Sequence, residues 1–229
     1  MTVYVGNRFD ALVRIPVNGL SLRADLTVPE SADGLVIVAY CGAENRRKTS
    51  DNLVIGTLQR HLFATVVVDL LSSSESQDYA DAFDLGLISE RLSIVTDWSV
   101  HSALLENLPI GFYVAGTASA AAMAITGGNE EVVKAIVSLD GRVDLAEPFI
   151  GKLKVPTLLI VSLANHSLHS VNESVFLRMV CHKELAEMPP ASNTFTKPDW
   201  SARAAVLSVR WYNRYLKRAG LALPQRINA

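Results

Sequence analysis

Between residues 11 and 28 apolar and polar positions alternate. Ala11-Leu12-Val13-Arg14-Ile15-Pro16-Val17 and the run from Leu20 to Val28 read as two antiparallel strands. Asn18-Gly19 between them is a dipeptide favoured in tight hairpin turns. Beyond this point the alternation gives way to continuous apolar runs, the pattern of strands buried on both faces of a parallel sheet. These runs are Leu35 to Ala39, Thr65 to Val68, Phe112 to Ala115, Ala135 to Val137 and Thr157 to Val161. Helical spacing separates them, over Asn52–Leu62, Ala82–Leu105, Ala118–Thr126, Val171–Val180 and Ser201–Lys217. A short strand, Glu184 to Met188, precedes the last helix. The alternation predicts an α/β fold: a mostly parallel central sheet with helices on both faces and an antiparallel N-terminal hairpin.

Composition sharpens this picture in a few places. With 229 residues, 49% of them hydrophobic, the chain can bury a large core, so one domain over residues 1–229 is expected. A net charge of −2 and a pI of about 6.2 give no basic excess, and no nucleic-acid partner is expected. No apolar run reaches the roughly 18 residues a membrane span needs. The first residues, Met1 to Gly6, lack the basic-then-apolar pattern of a secretory leader. Cys41 and Cys181 are too few for a disulfide framework, so a cytoplasmic location is expected.

The chemistry concentrates at Gly116-Thr117-Ala118-Ser119-Ala120, between an apolar strand and a small-residue helix. A turn of the form small-x-nucleophile-x-small holds an attacking side chain on strained backbone, where strand and helix nearly touch. Gly116 and Ala120 supply the small flanks and place Ala118 in the nucleophile seat. A methyl group cannot attack a carbonyl. Ser119 stands one position late, flanked by Thr117 and Ala121, and a β-branched residue suits so crowded a turn poorly.

The order of elements and several segments resemble the dienelactone-hydrolase-like branch of the α/β-hydrolases, from about Val13 to Leu216. The segments are Leu26-Thr27-Val28-Pro29, Val68-Asp69-Leu70-Leu71, Gly141-Arg142-Val143-Asp144-Leu145-Ala146 and Val155 to Val161. The resemblance implies the α/β-hydrolase fold. It also implies four catalytic parts: an elbow Ser, an acid after the seventh strand, a His after the last strand, and an oxyanion loop, often His-Gly, after the third. Carried over in order, these fall on Ala118, Asn165, Asn193 and Tyr40-Cys41. Asn cannot hold a negative charge against an imidazolium, nor shuttle a proton near neutral pH.

The expectation is therefore a pseudo-hydrolase, with no catalytic set and no cofactor. Its neutral pocket would comprise Tyr40, Cys41, Ala118, Ser119, Asn165 and Asn193, serving a small neutral ligand or a protein partner. Cys41 reads as an inert buried thiol. The alternative is an active carboxylic-ester or lactone hydrolase using Ser119 with Asp140 and His166 or His169. A third reading is an enzyme of another reaction type. His166 and His169 have helical spacing but no evident third ligand, so no metal is expected. Trp200, Trp211, Tyr212 and Tyr215 form a stripe on the last helix, either core or part of a homodimer face.

Overall fold

The alternating segment forms the hairpin, and the apolar runs form the sheet behind it. A computed structural model describes residues 2–4, 7–41, 49–72, 75, 82–127, 132–189 and 197–217. Its strands are β1 (Thr2–Tyr4), β2 (Arg8–Val17), β3 (Leu20–Pro29), β4 (Gly34–Tyr40), β5 (Phe63–Asp69), β6 (Ile110–Gly116), β7 (Val133–Gly141), β8 (Thr157–Ser162) and β9 (Lys183–Met188). The helices are α1 (Thr49–Arg60), α2 (Leu85–Val100), α3 (Thr117–Thr126), α4 (Glu147–Ile150), α5 (His166–Arg178) and α6 (Lys197–Tyr215), with a 3-10 turn at Val143–Ala146. All the strands join one sheet in the order β1-β2-β3-β5-β4-β6-β7-β8-β9. Pairing is antiparallel from β1 through β3 to β5 and parallel from there on.

The central strands split their side chains between two layers, because successive residues point to opposite faces. Leu35, Ile37 and Ala39 of β4 pack with Ile88, Leu92 and Val95 of α2 and the alanines of α3. Val36, Val38 and Tyr40 face the other way, toward Val54 and Leu58 of α1 and Trp211 and Tyr212 of α6. The aromatic stripe of α6 is thus mostly core: Trp211 and Tyr212 are buried, and the Tyr212 hydroxyl donates to the Phe112 carbonyl at 2.7 Å. A Cβ on Gly111 would stand 2.7 Å from Leu216 Cδ1 and 2.9 Å from the Tyr212 ring, so this close approach needs glycine in β6.

Local chemistry moved several element ends. The helix expected over Ala82–Leu105 is confined to Leu85–Val100, because the Asp84 carboxylate caps it, accepting from the Leu87 N–H at 3.0 Å. The helix expected at Val171 begins earlier, at His166, and the one expected at Ala118 begins at Thr117. The pattern gave no warning of β1, a three-residue edge strand.

Candidate functional site at the strand switch

From β4 the chain goes first to β5 on one side and then to β6 on the other. In open α/β sheets this reversal leaves a crevice at the carboxyl ends of the strands, the usual place for ligands. Here the reversal falls between the ends of β4 and β6, at Cys41 and Gly116.

Gly116 carries φ 55 and ψ −131 and passes directly into α3, whose start has no side-chain cap. This is the strained strand-to-helix turn, in backbone territory that side chains rarely adopt. A Cβ built on Gly116 meets nothing within 4 Å. The turn is pinned by its neighbours. The Arg142 N–H donates to the Gly116 carbonyl at 3.0 Å, and the Thr117 hydroxyl donates to the Ala82 carbonyl at 2.8 Å.

The expectation that Ala118 sits on the strained turn is corrected by this geometry. Ala118 lies inside the first turn of α3, fully buried, two residues past the positive φ. The flanking rule misled because Gly116 and Ala120 frame Ala118, whereas Gly116 itself follows the larger Val114. Ser119 is also fully buried, and its hydroxyl makes no hydrogen bond among the described residues. It packs against Gly141, where a Cβ would stand 2.6 Å from both the Ser119 Cβ and Oγ.

Tyr40 belongs to the opposite layer, buried with Trp211 and Tyr212, and not to the crevice side with Ala118. Cys41 does reach the turn. Burial pushes its thiol up to about 12, the Asp69 carboxylate adds to the shift, and a hydrogen bond from the Ala118 backbone offsets part of it. Asn165 is exposed and caps α5, its Oδ1 accepting from the Leu168 N–H at 3.1 Å. Asn193 lies outside the described residues.

The set Ser119, Asp140 and His166 is not assembled by hydrogen bonds from Ser119. Asp140, at φ 44, accepts the Ser162 N–H at 2.7 Å and ties the end of β7 to β8. His166 is exposed at the start of α5, while His169 pairs with Glu187 at 2.7 Å. Among the described residues no three His, Cys, Asp or Glu side chains stand together as a metal site. Sequence reasoning passed over Arg142, which follows β7 beside the turn. It holds Asp144 in a two-pronged pair at 2.9 and 2.7 Å, keeps that carboxyl below its usual range, and lies 5.5 Å from the Phe83 ring centre.

With this geometry in place, the fold can be matched. A dienelactone hydrolase from Anabaena variabilis is 31% identical, covers 93% of this chain and 100% of its own, and superposes with a TM-score of 0.83. The chain belongs to the dienelactone-hydrolase-like α/β-hydrolases. An esterase domain from Rhodothermus marinus shares the fold at 16% identity, with a TM-score of 0.70 over 90% of this chain and 99% of that domain. Proteins from two strains of Mycobacterium tuberculosis, provisionally named phosphoribosyl transferases, are 30% identical over 207 residues. The match spans 90% of this chain but 47% of theirs, so the chain covers about half the length of these relatives. No family model matches. Among the described residues no helix is long and apolar enough to cross a membrane.

Proposed function

We propose that this member of the family binds a small neutral ligand or a protein partner at the strand switch and does not hydrolyse esters. One observation carries the reading: the strained residue of the turn is Gly116, which has no side chain to attack with. The surroundings support it. Ser119 is sealed in the core, Asn165 is occupied as a helix cap, and the Cys41 thiol stays protonated far above neutral pH. The two free cysteines suit a reducing compartment such as the cytoplasm. The transferase name of the longer relatives says nothing of this crevice.

The test is turnover of p-nitrophenyl esters and enol-lactones by the purified chain, alongside labelling by a fluorophosphonate. Background rates and no labelling are expected. Turnover above about 1 s⁻¹, in the ordinary enzyme range, that disappears in Ser119→Ala would overturn the reading in favour of a displaced serine.

A further inference from the structure

Beside the strand switch, with Asp69 between the two, the hairpin and α1 border a cleft of about 860 Å³. The sheet face there is half-covered. Leu22, Ala24 and Leu26 of β3 turn inward to the core, while Ser21, Arg23 and Asp25 are exposed on the opposite face. Asn52, Ile55 and Gln59, from one side of α1, form the facing wall. Val67 lies on the floor, and the buried carboxylate of Asp69 closes one end. Leu12, 43% exposed, adds an apolar contact to a lining that mixes apolar and polar side chains.

The lining restricts what can enter. Among the described residues of the lining, two carboxylates, Asp25 and Asp69, accompany one guanidinium, Arg23, a balance that does not favour an anion. A peptide cannot extend the sheet here, because β3 is paired on both sides, to β2 and β5. What the cleft offers is a few isolated apolar contacts, Leu12, Ile55 and Val67, ringed by hydroxyls, amides and charges of both signs. That combination matches a ring with C–H faces and a rim of hydroxyls, and the volume falls in the range of small-molecule sites, roughly 300–1,000 Å³. We propose that this cleft binds a neutral sugar of one or two rings, with Leu12 against a ring face and Arg23, Asp25 and Asn52 on its hydroxyls. The proposal is independent of the reading of Gly116.

Saturation-transfer NMR on the full chain with D-ribose, D-glucose and maltose tests it, with methyl shifts of Leu12, Ile55 and Val67 reporting the place. Transfer to ring protons is expected for at least one sugar, at a Kd near or below about 1 mM. Arg23→Gln and, separately, Leu12→Arg, both at exposed positions, should each weaken that binding about 5-fold or more, near 1 kcal/mol. Absence of transfer from all three sugars at about 50 mM would overturn the proposal. So would binding of inorganic phosphate with no sugar bound. So would sugar-induced shifts confined to the Cys41–Ala118 region with the cleft methyls unmoved.

Discussion

Gly116 is the residue where the site's chemistry could be put back with least obstruction, since a Cβ there meets nothing within 4 Å. Its φ of 55 would still strain any L side chain, at a cost of about 1–3 kcal/mol. Gly116→Ser should therefore fold with a melting temperature lowered by roughly 2–4 °C per kcal/mol. It should remain inactive on p-nitrophenyl esters if, as we propose, Asn193 stands in for the family's base, since an amide cannot accept the proton. The triple change Gly116→Ser, Asn165→Asp, Asn193→His is the smallest set we expect to yield turnover. Strong activity from the single change would mean that another histidine already serves as base.

Cys41 gives a second test at this scale. Its thiol, pushed by burial up to about 12, should react slowly with iodoacetamide at neutral pH, in contrast to an ordinary thiol near 8.5. Because the folded-state value is raised, the unfolded chain loses this proton first. The linked stability is fully present below about 9 and should decline as pH climbs from about 9 toward about 12. Comparing pH-dependent melts of the parent and Cys41→Ala isolates it; identical profiles up to pH 12 would refute the shift. These residue-level features show where the sequence was legible and where it was not. The small-residue turn was visible as a turn. The strained residue within it was not, because a flanking pattern fixes the neighbourhood and only φ and ψ fix the seat.

Among the elements, the anchor between α2 and the chain after β5 is sensitive to acid. Arg91, buried, donates to the Leu70 carbonyl at 2.7 Å and grips both Glu75 oxygens at 2.8 and 2.6 Å. Hydrogen bonds from Arg91 hold the Glu75 carboxyl well below its usual range, at about 2. A depressed carboxylate stabilises above its unfolded value and loses that contribution as pH falls from about 4.5 to about 2. Glu75→Gln should thus be less stable than the parent at pH 7 and converge with it near pH 2. A gap that persists unchanged into acid would point to packing in place of charge. Packing dominates on the other face of the sheet. Gly111→Val should cost about 1–3 kcal/mol in denaturant unfolding, since Leu216 and Tyr212 occupy the space a side chain would need. Strand and helix order was readable because runs such as Leu35 to Ala39 are apolar without interruption. Helix ends were less so, because the caps Asp84 and Asn165 act through single side-chain oxygens that leave hydrophobic spacing unchanged.

At the scale of the whole molecule, the sequence marked the two-layered sheet and the hairpin but could not show which way each strand faces. Tyr40 illustrates the cost. Adjacent to Cys41 in the chain, it points to the opposite layer, since neighbours on a strand alternate, and so it leaves the crevice. The cleft beside α1 escaped sequence reading for a related reason: its walls come from β3, α1 and the end of β5, brought together only by the sheet order.

That same order has a consequence in time. All seven residues of β4 are buried, yet its partner β6, paired at Leu35 with Ile110, is encoded roughly seventy residues later, several seconds of synthesis at about 5–20 residues per second. Throughout that interval the nascent chain holds an apolar strand with one edge unfilled. A wholly buried strand is thus obliged to wait, so the protein's yield in cells should depend on chaperone capacity and translation speed more than on the stability of the finished fold.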